Sequence, residues 1–140
     1  MVEHLSKILA NYSFLSIKTQ NYHWNVTGPN FMSLHQMFED QYNDLTQATD
    51  EIAERIRALG SKTPATIAEY SKINILSEGN KDYAADEMIN DLINSHEQIV
   101  VLLKDSIESA SNHGDVATED MLVGRLAEHE KVIWFLKSSI

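Results

Sequence analysis

The sequence predicts an all-α protein, a four-helix bundle with a short helix inside one long crossover. Three observations carry this. Apolar residues recur at steps of three and four through four separate stretches, the spacing of one helix face. Only five Gly and two Pro interrupt 140 residues, too few for a chain that turns about every ten residues as sandwiches and barrels do. The breaks fall at three places: Gly28-Pro29-Asn30, the stretch from Gly60 to about Asn80, and Asn112-His113-Gly114-Asp115.

The first helix is expected from Val2 to Val26, with Leu5, Ile8, Leu9, Tyr12, Leu15, Thr19, Tyr22 and Val26 on its repeating face. The second runs from Phe31 to Leu59. Phe31, Phe38, Leu45, Ile52 and Leu59 recur every seven residues there, and Gly60 is placed as its C′ cap. The third begins between Asp82 and Ala85 and runs to about Ala110, its apolar face carried by Met88, Leu92, Ile99, Leu102, Leu103 and Ile107. The fourth runs from Val116 to Ser138, with Met121, Leu122, Leu126, Ile133, Trp134 and Leu136. Short turns make the first two and the last two helices antiparallel hairpins. About 20 residues join the second to the third, too many for a structureless loop. Thr63-Pro64 reads as an N-cap with Pro at N1, so a short helix is expected over about Ala65–Lys72. One long crossover in a four-helix bundle is the ferritin-like topology. The chain is expected to be a single domain over residues 1–140.

Composition sets further bounds. The longest apolar runs, Ile99–Leu103 and Val132–Leu136, are far shorter than the roughly 20 residues of a membrane span. The N-terminus has no basic stretch followed by an apolar one, so no signal peptide is expected. Cysteine is absent, which excludes disulfides and thiolate metal sites. The expectation is a cytoplasmic protein. The net charge of −10 argues against a broad basic face for nucleic acid and is compatible with attraction of cations.

Six histidines are present, and none has Asp or Glu three residues before it. The Glu-x-x-His pairs of a di-iron centre inside the bundle are therefore missing. The second helix offers another pattern. His35, Glu39, Asp50 and Glu54 lie at about 0°, 40°, 60° and 100° around its axis, while Phe38, Leu45 and Ile52 lie at about −60° to −100°. Such a helix has an apolar face for the core and a separate acid-and-imidazole face for water or for a partner subunit. His35 and Asp50 are about 22 Å apart along a straight helix, so they cannot hold one metal within a chain. His23, at the end of the first helix, can approach His35. The chain thus offers two half-sites, two imidazoles and two carboxylates. A two-fold dimer with antiparallel second helices would join them twice. Two His and two carboxylates suit Fe(II). The other reading of the same residues is ion pairing of Asp50 and Glu54 with Arg57 on a solvated helix face.

His23-Trp24-Asn25-Val26-Thr27-Gly28, Phe31, Leu34-His35, Phe38-Glu39 and Asp50-Glu51-Ile52-Ala53-Glu54-Arg55-Ile56 together resemble the Dps miniferritins, the "DNA-binding protein from starved cells" family. Trp134-Phe135 is similar to that family's last helix. The resemblance implies a hollow homo-dodecamer built from two-fold dimers, with ferroxidase sites between two-fold related subunits. By it, His23 and His35 come from one chain and Asp50 and Glu54 from its partner, with Glu39 as a supporting acidic residue. Iron would be both substrate and cargo. Fe(II) would be oxidised by hydrogen peroxide, more slowly by oxygen, and the ferric product stored as mineral. Trp24 would be an auxiliary aromatic that takes up stray oxidising equivalents; otherwise it is an interface aromatic. Asp115, Glu119 and Asp120 would line a three-fold pore for iron entry, or else simply favour a helix N-terminus. His129, between Glu128 and Glu130, reads as a surface residue. Members that bind DNA carry a Lys/Arg-rich tail, whereas Met1–Lys7 holds one Lys and one Glu. Strong direct DNA binding is therefore not expected. A nucleoid-compacting protein with little ferroxidase activity is the alternative, and a bundle that has lost its metal site is a third reading.

Overall fold

Helical periodicity becomes five helices and no strand in the computed structural model, which describes residues 1–140. They are α1 (Val2–Asn25), α2 (Phe31–Ala58), α3 (Ile67–Ile73), α4 (Ala85–Asn112) and α5 (Val116–Lys137). The four long helices end within two residues of the predicted bounds. α1 packs along α2 and α4 along α5, as the short turns require, and the two hairpins close into a four-helix bundle with α3 lying against α1.

The caps explain where the helices stop and start. Gly60 follows α2 with φ +93°, a conformation that favours glycine, and its N–H bonds the Arg57 carbonyl at 3.0 Å. The short helix starts later than predicted. Its N-cap is Thr66, whose Oγ1 accepts the Glu69 N–H at 3.1 Å and donates to Glu69 Oε1 at 2.8 Å. The Thr66-x-x-Glu69 pair satisfies two polar groups reciprocally, which outweighs the weaker preference of Pro64 for a first turn.

Each predicted apolar face is buried at its centre. Leu5, Ile8, Tyr12, Leu15 and Tyr22 of α1 and Phe38, Leu45 and Ile52 of α2 join one 24-residue core with Met88, Leu92, Ile99, Leu103, Leu122 and Leu136. Each fully buried aliphatic side chain contributes about 1.5–3 kcal/mol of hydrophobic stabilisation. The ends of the seven-residue stripe depart from prediction. Phe31 and Leu59 lie in the terminal turns of α2, where no neighbouring helix covers them, and are exposed. Trp134 is also exposed; Val132 takes the core position beside Leu136.

His129 corrects the sequence reading. It is buried, not on the surface. Its position falls on the Leu122–Val132–Leu136 stripe, and the flanking glutamates hide that register. It belongs to a polar chain crossing the core. Arg125 Nε donates to the Tyr12 hydroxyl at 3.1 Å, that hydroxyl lies 2.6 Å from His129 Nε2, and His129 Nδ1 lies 2.8 Å from His96 Nδ1. Asp44 holds the Arg125 guanidinium with both carboxylate oxygens, at 2.8 and 3.2 Å.

Candidate metal centre

The turn at Gly28-Pro29 folds α2 back on α1 and brings His23, two residues from the end of α1, beside His35 in the second turn of α2. The two imidazoles stack with centroids 3.8 Å apart and planes 10° from parallel. His23 Nδ1 lies 2.7 Å from the His35 carbonyl oxygen, and His35 Nδ1 lies 2.6 Å from the His23 carbonyl oxygen. A carbonyl only accepts, so each ring carries its proton on Nδ1 and donates it. Both Nε2 atoms are left with lone pairs and make no hydrogen bond to the protein. This is how metal-ligating histidines are prepared, one nitrogen fixed by a backbone carbonyl and the other free.

The acidic half lies further along the same helix. α2 is unbroken from Phe31 to Ala58, so Asp50 sits about 22 Å and Glu54 about 28 Å along the axis from His35. Both are exposed. The negative charge of Asp50, and a hydrogen bond to it, raise the Glu54 carboxyl above its ordinary value. Two carboxylates that repel each other in this way are relieved by a shared cation. Neither is engaged by a base. Arg57 donates to the Ser61 carbonyl at 3.2 Å, and Arg55 is turned to Asp115 at 2.8 Å. The ion-pair reading of this face is therefore not what the structure contains. No three His, Asp or Glu side chains of the single chain converge as a metal cage.

The chain is similar to known proteins along nearly its whole length. The ferritin-like domain family matches residues 2–140. The DNA protection during starvation protein 2 of Bacillus anthracis is 39% identical over 118 residues, 84% of this chain and 81% of that protein. The crystal structure of Dps from Staphylococcus aureus superimposes with a TM-score of 0.96 at 39% identity, covering 99% of this chain and 93% of that one. Dps from Vibrio cholerae, described as a member of a broad superfamily of ferritin-like diiron-carboxylate proteins, gives 0.94 at 30% identity, covering 98% of this chain and 86% of that one. The chain belongs to the Dps family. Membership implies iron binding, and iron storage with DNA protection as the family's general activity.

The remaining positions singled out from the sequence are distributed around this Dps subunit as follows. Glu39 is half-buried one turn beyond His35 and accepts a hydrogen bond from Gln36 at 3.2 Å. Trp24 is 66% exposed and makes no ring contact with the imidazole pair within the chain. The rings that do touch the pair are Phe31, stacked on His35 at 5.0 Å, and Tyr42, edge-on to His23 at 5.3 Å. By sequence spacing Phe31 belongs to the seven-residue apolar stripe of α2, and Tyr42, with Leu34 and Ile56, fills in beside it. The available signal is their placement on the His35 face of α2, both within about 40° of His35 around the axis. Of the expected pore residues, Asp115 is engaged within the chain. It caps α5 by accepting the Thr118 N–H at 3.2 Å and pairs with Arg55. The Thr118 hydrogen bonds and the Arg55 guanidinium hold its carboxyl below the usual value. Glu119 is half-buried and Asp120 exposed, and neither has a basic partner in the chain.

Proposed function

We propose that the chain is one subunit of a hollow dodecameric shell that oxidises Fe(II) at sites shared between two-fold related copies and stores the ferric product. The carrying observation is the reciprocal pair of imidazole–carbonyl hydrogen bonds, which frees two Nε2 lone pairs, with an unpaired carboxylate couple about 22–28 Å further along α2 from His35. Neither half supplies more than two metal-ligating side chains by itself. A two-fold axis that sets α2 antiparallel to its copy joins His23 and His35 of one subunit to Asp50 and Glu54 of the other, twice per dimer. Glu39 then supports the imidazole side. Two nitrogens and two carboxylates with open positions suit Fe(II).

Hydrogen peroxide is the preferred oxidant in this reading, with oxygen slower. Two Fe(II) give one electron each, peroxide takes both electrons and two protons, its O–O bond breaks, and two waters leave. Paired electron transfer keeps hydroxyl radical from escaping. Trp24 remains the proposed outer aromatic for stray oxidising equivalents. Glu119 and Asp120, with Asp115 behind them, are the proposed cation-attracting rim of an entry pore. No helix is long and apolar enough to cross a membrane, and a cytoplasmic location fits the reading.

Anaerobic Fe(II) loading followed by peroxide, monitored by ferric absorbance, tests it. Wild type should oxidise rapidly, while Asp50→Ala/Glu54→Ala and His35→Ala should fall by at least about 10–100-fold in shells of unchanged mass. Oxidation at the wild-type rate by those variants would overturn the assignment.

The relatives' DNA-protection name raises a second reading, direct binding to DNA. The charge opposes it, since twelve copies of −10 make a shell of about −120 that repels phosphate. DNA protection here is by removal of iron and peroxide. No electrophoretic shift is expected at low salt without divalent cations; a clear shift under those conditions would restore the DNA-binding alternative.

A further inference from the structure

We infer that Phe31 and Tyr42 are positioning residues of the imidazole pair, closing it from both sides so that its Nε2 atoms are held ready for metal. The inference rests on the reading of His23 and His35 as iron ligands. The four rings form one column in the order Phe31, His35, His23, Tyr42. Phe31 lies on His35 with centroids 5.0 Å apart and planes 22° from parallel. His35 and His23 follow at 3.8 Å and 10°. Tyr42 closes the far end with its plane at 71° to His23 and centroids 5.3 Å apart.

Two features separate these rings from ordinary core aromatics. Neither belongs to the 24-residue core, and neither is among the partly buried side chains packed against it. Phe31 is 36% exposed at the first position of α2, where a large apolar side chain has little to gain from burial. The Tyr42 side chain makes no hydrogen bond within the chain, so its hydroxyl does not explain its presence. What both rings touch is imidazole.

The column supplies a constraint that the hydrogen bonds lack. One Nδ1–H···O bond fixes a point on each ring but leaves the ring free to rock about that line. Phe31 lying flat on His35 and Tyr42 meeting His23 edge-on restrict the rocking, and the imidazoles stop each other on the faces they share. Aromatic faces and edges attract in these geometries, whereas an aliphatic side chain of similar volume fills the space without a plane to match. Ligands held in orientation before metal arrives bind it more tightly, and outer partners of metal-bound histidines typically affect affinity by about 10–100-fold.

Anaerobic calorimetric titration of the assembled shell with Fe(II) tests this in wild type, Phe31→Leu, Phe31→Tyr, Tyr42→Leu, Tyr42→Phe and Asp50→Ala/Glu54→Ala. The two Leu variants should lose about tenfold in Fe(II) affinity with particle mass unchanged, and the two ring-conserving variants should stay near wild type. Phe31→Met replaces Phe31→Leu if the latter does not assemble, with the same expectation. Leu variants that bind as wild type, or Leu and ring-conserving variants that weaken alike, would overturn the positioning role. Wild-type affinity in Asp50→Ala/Glu54→Ala would instead overturn the ligand assignment beneath it, whatever Phe31 and Tyr42 do.

Discussion

At the scale of single residues, proton placement is dictated by partners rather than by residue type. His23 and His35 must carry their protons on Nδ1 because each faces a carbonyl. His129 and His96 are fixed by a longer chain. Arg125 can only donate to the Tyr12 oxygen, so the Tyr12 hydroxyl donates to His129 Nε2. His129 then donates through Nδ1 to His96 Nδ1, and the His96 proton sits on Nε2, a buried N–H without a partner. Burial holds both rings neutral, His96 down at about 3 and His129 well below 6.5, with Arg125 adding to the effect, Lys18 adding to it at His96 and Asp44 opposing it there. Burial likewise pushes the Tyr12 hydroxyl up to about 12. The unfolded chain would protonate these rings below about 6.5 while the native state does not. The unfolded state therefore binds more protons, and stability falls as pH drops below about 6.5, continuing for His96 to about 3. Each ring contributes at most about 1.4 kcal/mol per pH unit. Urea unfolding from about pH 7 to about pH 5 should show this loss, and His96→Leu should flatten the slope. A slope unchanged in that variant would mean His96 does not report on folding.

At the scale of elements, charged side chains tie distant helices together at points that periodicity does not mark. Lys18 on α1 is buried and donates to Ser95 at 2.9 Å and to Ser77 at 3.2 Å, and pairs with Asp91 at 3.2 Å. It joins α1, α4 and the crossover at one point. Gly79 lets the crossover approach there, because a Cβ would meet Lys18 Cγ at 3.2 Å and Asn21 Nδ2 at 3.3 Å. Arg55 and Asp115 do the same between the end of α2 and the start of α5. Asp115→Ala removes both the cap and the ion pair and should cost about 1–2 kcal/mol of stability. Asp115→Asn keeps a capping oxygen and should lose less. Equal losses in calorimetric unfolding would show that the charge, not the cap, is what matters. Because Asp115 is occupied in this way, its substitution also lowers stability, and any effect on iron entry should be read from Asp120 instead.

At the scale of the whole molecule, the separation of the two half-sites makes an assembly prediction. Mix His23→Ala/His35→Ala subunits with Asp50→Ala/Glu54→Ala subunits before assembly. A mixed two-fold dimer then has one dead site and one intact site, since the second subunit lends its histidines to the first subunit's carboxylates. With equal amounts and random pairing, about a quarter of wild-type sites are restored, although neither variant alone has any. Fe(II) oxidation near that fraction would establish sites shared between copies. No recovery from mixed shells of full mass would exclude them.

The sequence by itself determined the helices, their order, the long crossover and the candidate ligands. Each of those is local, a period of three to four residues, a Gly or Pro break, or a spacing along one helix that converts directly to angle and distance. The prediction that His35 and Asp50 serve different sites followed from the length of α2 alone. Tertiary structure decided what depends on contacts between residues far apart in the chain. It buried His129 among residues 117 and 33 positions away, Tyr12 and His96. It drew Arg55 to Asp115, leaving Asp50 and Glu54 without a basic partner. It also placed Phe31 and Tyr42, rather than Trp24, against the imidazole pair. Helix period says which face a side chain occupies, but only packing against another helix says what meets that face.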